Sequence, residues 1–165
     1  MKDSYGKATS GKIAISIVYL LVLYALYLTF IVAPPERFMG AVQRIFYFHV
    51  GSAVATYCAF GVLLCAALSY LGLKNNLAKF YLRAGSETSL LFASITLASG
   101  MIWAHSAWNV WFRWEPRLVT FLLLWLISLS IVLLWKFGSE QSVTKHASVL
   151  SILGSLMVPI VVYAI

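Results

Sequence analysis

Leu118-Val-Thr-Phe-Leu-Leu-Leu-Trp-Leu-Ile-Ser-Leu-Ser-Ile-Val-Leu-Leu-Trp135 runs for 18 residues without a charged side chain. Wound as a helix at about 1.5 Å per residue, it covers roughly 27 Å, close to the roughly 30 Å hydrocarbon core of a bilayer. Lipid offers backbone groups no hydrogen-bond partner, so a stretch of this kind crosses as a helix. Four more stretches share the property: Ile13–Ala33 with 21 residues, Ile45–Leu73 with 29 and broken only by His49, Thr88–Ala104 with 17, and Ala147–Ile165 with 19. The second is long enough to tilt or to extend past the bilayer.

Composition agrees. Of 165 residues 62% are hydrophobic and only 10% charged, with a mean hydropathy of +0.90. Soluble domains carry about 25% charged residues, so this chain has too few to cover a water-facing surface. A membrane barrel would show alternating segments of roughly 10 residues, which the uncharged runs are not. The expected fold is all-α: a polytopic helical membrane protein, one membrane domain over residues 1–165 with spans near 13–33, 45–73, 88–104, 118–135 and 147–165. No internal repeat, low-complexity segment or soluble domain stands out.

Lys and Arg number 12 against 5 acids, a net charge of +7. These charges lie in the short connectors, where they orient a membrane protein rather than bind nucleic acid. Lys2, Lys7, Lys12, Lys74, Lys79, Arg83, Lys136 and Lys145 make eight on one side, against Arg37, Arg44, Arg113 and Arg117, four, on the other. The positive-inside rule then puts the N-terminus in the cytoplasm and the connectors Pro34–Arg44 and Trp103–Arg117 outside. The basic start resembles a signal peptide. Its apolar run exceeds the usual roughly 7–15 residues, however, and Pro34-Pro35 stands where a small-residue cleavage site belongs, so it is expected to be a retained span. Five spans leave the C-terminus outside. Cys58 and Cys65, seven apart on one helix face, are expected to be buried packing residues, and no CxxCH occurs. Pro159 is expected to kink the fifth span.

One outward segment is unlike the rest: Trp103-Ala-His-Ser-Ala-Trp108-Asn-Val-Trp111-Phe-Arg-Trp114-Glu-Pro-Arg117-Leu-Val-Thr120. Four of the chain's six tryptophans fall in it. An interfacial aromatic belt would be shared among all span ends, yet the other outward connector has no tryptophan. Trp108, Trp111 and Trp114 recur every three residues, and as a helix they would form one flat aromatic shelf. Edged by His105, Arg113 and Arg117, such a shelf suits a planar, apolar, anionic ligand that stacks on indoles and receives arginine forks on its carboxylates.

This segment resembles the tryptophan-rich (WWD) signature of the haem-handling membrane proteins of cytochrome c maturation, the CcmC branch first and the CcsA-type haem lyase subunits next. That signature reads roughly W-x-x-x-x-W-G-x-W-W-x-W-D-x-R-L-T. Trp103, Trp108, Trp111, Trp114, Arg117 and Leu118 match it, whereas Asn109, Phe112, Glu115 and Val119 replace Gly, Trp, Asp and Thr. Glu115 keeps the carboxylate on a longer arm, and asparagine tolerates the left-handed backbone. Arg44-Ile-Phe-Tyr-Phe-His49-Val is similar to the family's R-I-x-Y-x-H-V, and Val158-Pro159-Ile160-Val161 to a V-P-I-V run in its penultimate span. The resemblance covers about residues 35–165 and implies a six-helix pattern, here lacking the last.

An ionisable group inside a span is a functional candidate by default, and imidazole is a standard axial ligand of haem iron. The resemblance implies that His49 is that ligand, with Arg44 near a propionate. It also implies a second outer histidine after the penultimate span, beyond the last residue here. Either the chain is shorter than the family, or His105 serves instead. His146 is expected to be a plain cytoplasmic surface residue.

The resulting expectation is a carrier, not an enzyme, that binds haem b transiently and presents it at the outer face of the bacterial cytoplasmic membrane. Its site residues would be His49, Trp103, Trp108, Trp111, Trp114, Glu115, Arg117 and Arg44. Implied partners are membrane lipid, ABC transporter subunits, a small single-span subunit and a periplasmic haem chaperone. The alternatives are a CcsA-type lyase subunit that attaches haem to apocytochrome, a small-solute transporter, and a structural subunit. A transporter needs polar groups facing one another at mid-membrane, and spans one, three, four and five offer only Ser and Thr there.

Overall fold

A computed structural model describes residues 2–139 and 142–164, with side chains from residue 11 onward. The side chains of Lys2 and Lys7, used above for orientation, lie outside the described residues, as does Ile165. The chain divides into two compact units, Met1–Arg44 and Ile45–Ile165.

In the first unit α1 spans Lys2–Tyr27 and continues as a π-helical turn, Leu28–Val32. Nearly every large apolar side chain from Ile13 to Val32 is exposed. A helix apolar on all sides is suited to lipid rather than water. Ala33 turns extended (φ −65°, ψ 120°), as the residue before a proline must. Glu36 and Gly40 then close a tight turn: Gly40 N–H donates to the Glu36 carbonyl at 2.9 Å. Gly40 sits at φ +55°, a conformation that only glycine adopts freely.

The second unit holds α2 (Gln43–Leu73, from Ile45 on), α3 (Ala78–Trp108), α4 (Pro116–Phe137) and α5 (Val143–Tyr163). Among the described residues five helical stretches are long and apolar enough to cross a membrane, the first of them Gly11–Val32. Each expected span maps onto one of them, and the largest difference is α3, with 31 residues. Uncharged runs measure hydrocarbon and not helix: α3 opens with Lys79, Arg83 and Glu87 already helical, the last two paired at 3.5 Å with both side chains exposed. α5 likewise begins early enough to include Lys145 and His146. Pro159 lies inside α5, which continues to Tyr163.

The core of this unit is built on Phe60, Leu63, Leu82, Leu124 and Val161. Among the described residues every buried polar side chain is serine or threonine, in keeping with the hydroxyl-only reading of the spans. Most return their proton to a carbonyl one turn back, as Ser128 does to Leu124, Ser148 to Thr144 and Ser151 to Ala147, which satisfies these hydroxyl donors within their own helices. Two part-buried hydrogen bonds join helices: Trp125 Nε1 donates to Ser94 Oγ at 2.8 Å, and Ser155 Oγ to the Phe60 carbonyl at 2.9 Å. The cysteines differ from expectation, since Cys58 and Cys65 are both exposed. The inward face of α2 is the row Ser52, Thr56, Ala59, Phe60, Leu63, Ala66 and Ala67, and helical periodicity turns positions 58 and 65 away from it together.

Candidate functional site

α2 and α3 run antiparallel, so the first turns of α2 meet the last turns of α3. His49, half buried two turns into α2, reaches α3 there: its Nδ1 lies 3.0 Å from the Thr96 carbonyl and 3.2 Å from Ser99 Oγ. Its Nε2 has no hydrogen-bond partner among the described residues. One turn inward, Thr96 Oγ1 donates to Ser52 Oγ at 2.9 Å, and Ser52 Oγ to the His49 carbonyl at 2.9 Å. The ring rests against Gly100, where a Cβ would come within 2.8 Å of His49 Cε1. Thr96, Ser99 and Gly100 escaped the reading of the sequence. Their one signal is the i, i+3, i+4 spacing of small polar residues and glycine inside an apolar helix.

α3 continues one turn past Ser99 to Trp103, then to Trp108, and stops. Asn109 caps it in the left-handed conformation (φ 57°, ψ 30°), its N–H on the His105 carbonyl. The next residues are non-helical until Pro116 opens α4, with Glu115 extended at φ −90°, ψ 150°. The expected helical shelf of Trp108, Trp111 and Trp114 is therefore corrected. The left-handed cap ends the helix after Trp108, and the residue before a proline avoids the helical region, so three-residue spacing does not put the three indoles on one face.

The rings are instead held pairwise. Trp103 meets Trp108 edge to face, centroids 4.8 Å apart; the His105 ring stacks on Trp111 at 4.1 Å and 26°; Phe112 meets Trp114 edge to face at 5.2 Å. Arg113 places its guanidinium 5.0 Å from the Trp108 ring and pairs with Glu115, Nε to Oε1 at 2.8 Å. Arg117 Nε donates to the Ala164 carbonyl at 3.0 Å, tying the start of α4 to the end of α5. Trp114 stays 80% exposed, and Trp108 and Trp111 are also exposed. Trp103 Nε1 is buried with no hydrogen-bond partner among the described residues.

Arg44 belongs to the first unit, and its Nε is buried with no hydrogen-bond partner among the described residues. His146 sits at the opposite end of the second unit, exposed, its Nδ1 2.9 Å from the Ser142 carbonyl. Among the described residues no group of three or more His, Cys, Asp or Glu side chains gathers to hold a bare metal ion. What this end of the unit does offer is the His49 Nε2, which has no hydrogen-bond partner among the described residues, several exposed indoles, Arg113 in the loop and Arg117 in the first turn of α4.

Comparison with known proteins gives a consistent picture. The family model CcmC, described as Heme exporter protein C, matches residues 6–165. The chain is 28% identical over 134 residues to a protein named Heme exporter protein C from Bradyrhizobium diazoefficiens, covering 81% of this chain and 51% of that one. It is 26% identical over 160 residues to one so named from Rhodobacter capsulatus, covering 94% and 66%. With the Heme exporter protein C of Escherichia coli K12 it shares 26% over 134 residues, covering 81% and 55%. The matches thus span about half to two thirds of the length of those relatives.

Proposed function

This multi-pass membrane protein belongs to the CcmC, or Heme exporter protein C, family, and we propose that it binds haem at the outer face of the bacterial cytoplasmic membrane and presents it to a haem chaperone during cytochrome c maturation. The observation that carries this reading is His49. An imidazole inside a span is costly unless used. This one has its Nδ1 engaged by α3 and its Nε2 without a hydrogen bond among the described residues. Haem iron takes an imidazole nitrogen as axial ligand, and the donor set fits that chemistry.

The tryptophan loop supplies the remaining recognition. Exposed Trp108, Trp111 and Trp114 offer apolar π-surface to a planar macrocycle, while Arg113 and Arg117 offer charged donors to its carboxylates. Glu115 tethers Arg113, and Trp103 backs Trp108. A weak, open surface of paired rings suits a carrier that must release its cargo. His105, stacked on Trp111, acts as a brace for that indole. ABC transporter subunits, a small single-span subunit and the chaperone are the proposed partners, in a membrane where the N-terminus is cytoplasmic and the tryptophan loop is outside.

Haem titration of the detergent-extracted chain tests this. Wild type should develop a Soret band that survives washing, His49→Ala should lose or shift it, and His146→Ala should match wild type. Absence of the band in a folded wild-type protein overturns the reading. Orientation is tested with Val110→Cys in a Cys58→Ser, Cys65→Ser background. Labelling should come from outside the cell, and labelling only from the cytoplasm overturns the topology.

A further inference from the structure

We propose that Thr96, Ser99 and Gly100 of α3 are positioning residues that fix the tautomer and direction of the His49 ring, so that Nε2 is the nitrogen presented to iron. The proposal rests on the haem-binding reading of His49 and deepens it.

A backbone carbonyl has lone pairs and no proton, so the 3.0 Å contact between His49 Nδ1 and the Thr96 oxygen is a hydrogen bond only when Nδ1 carries the hydrogen. Ser99 agrees: its hydroxyl proton goes to the Ile95 carbonyl at 2.6 Å, which leaves its oxygen to face Nδ1 as a second acceptor at 3.2 Å. In the neutral ring the lone pair then resides on Nε2.

Gly100 sets the direction. A Cβ there would lie 2.8 Å from His49 Cε1 and 3.2 Å from Nδ1, so the Cε1 side of the imidazole occupies the space that a side chain at 100 would take, and any side chain there would push the ring off. The chain of bonds from Thr96 Oγ1 through Ser52 Oγ to the His49 carbonyl fixes the register of α2 on α3 beside the ring. Metal-bound histidines commonly hold their second N–H on a carbonyl, and loss of that partner costs about 10–100-fold in affinity. A histidine that merely sat near headgroups would need none of this apparatus.

The test uses the 165-residue chain with 15N-labelled imidazoles in detergent, the His49 resonances being assigned by their absence from His49→Gln. Without haem, His49 should be the Nδ1-protonated tautomer. Ser99→Ala should move its Nδ1–H resonance and Ser99→Thr should restore it. With haem, Gly100→Ala should lower affinity about 10–100-fold and change the iron–imidazole stretching frequency, while Ser99→Thr keeps both. An Nε2-protonated ring, or wild-type affinity and frequency in Gly100→Ala together with an unmoved resonance in Ser99→Ala, overturns the proposal. An Nδ1-protonated ring in a chain that binds no haem upholds the seat and overturns the ligand reading alone.

Discussion

The imidazole of His105 lies flat on the indole of Trp111, centroids 4.1 Å apart and planes 26° from parallel. This contact reaches from the last turn of α3 into the loop beyond its cap, and it orders a ring that would otherwise project freely from non-helical backbone. Aromatic pairs of this kind contribute about 0.5–1.5 kcal/mol beyond the area they bury, equivalent to roughly two- to tenfold in an equilibrium constant. His105→Ala is therefore expected to lower haem retention by about that factor while helical circular dichroism and the axial-ligand spectrum stay as in wild type. If the low-spin ligand signature disappears in His105→Ala and persists in His49→Ala, the two histidines exchange roles.

The membrane helices are legible because a bilayer imposes one strict requirement. Leu118 to Trp135 carries no charge and has the length to cross, and α4 runs Pro116–Phe137 around that stretch. Helix ends are less legible, since Lys79 and Arg83 are charged and exposed yet still helical. In the site, His49 stood out as a lone imidazole in an apolar run. Its seat did not, because Thr96, Ser99 and Gly100 lie about fifty positions away and look like any other small residues of a membrane helix. In the tryptophan loop the helix is ended by Asn109 at φ 57°, and asparagine, a residue type that tolerates the left-handed backbone, is the one local signal that a helix could stop after Trp108; Pro116 restricts only Glu115.

Glu36 predicts an acid-sensitive turn in the first unit. Its carboxylate accepts the backbone N–H groups of Met39 and Phe38, each at 2.8 Å, and these bonds, Met39 foremost, hold its pKa below the usual glutamate value. A depressed folded pKa means the stabilisation is complete above the unfolded value, about 4.3, and is lost as the pH falls through the lower folded value. The amide resonances of Phe38 and Met39 should titrate with a midpoint below about 4.3, and Glu36→Gln should abolish that titration. A midpoint at or above the ordinary value would show that the carboxylate does not hold the turn.

Trp125 and Ser94 form a hydrogen bond between α4 and α3 at 2.8 Å. Such bonds inside membrane proteins average only about 0.6 kcal/mol, with a ceiling near 1.7. A double-mutant cycle of Trp125→Phe and Ser94→Ala, read by reversible unfolding in mixed micelles, should give a coupling energy of about 0.6 kcal/mol. Trp125→Phe alone should cost more than that coupling, because it also removes buried ring surface. A coupling of zero would mean that the unfolded chain in the micelle satisfies both groups equally well.

Gly154 of α5 packs directly on Phe60 of α2. A Cβ at 154 would collide with Phe60 Cε1, lie 3.1 Å from its Cδ1, and on the other side lie 3.1 Å from Ile127 Cγ2. Elsewhere in a helix, glycine to alanine gains about 1 kcal/mol from propensity. Here Phe60 is 0% exposed, and the Ser155 hydroxyl grips its carbonyl at 2.9 Å, so the ring and backbone have little room to give. Overpacking in a filled core costs about 1–3 kcal/mol and should outweigh the propensity gain. Gly154→Ala is expected to lower the thermal midpoint in detergent. Phe60→Leu, which shortens the opposing side chain, should destabilise the wild-type background more than it destabilises Gly154→Ala. Equal destabilisation in both backgrounds, or a midpoint for Gly154→Ala at or above wild type, would mean that α5 shifts along α2 to make room.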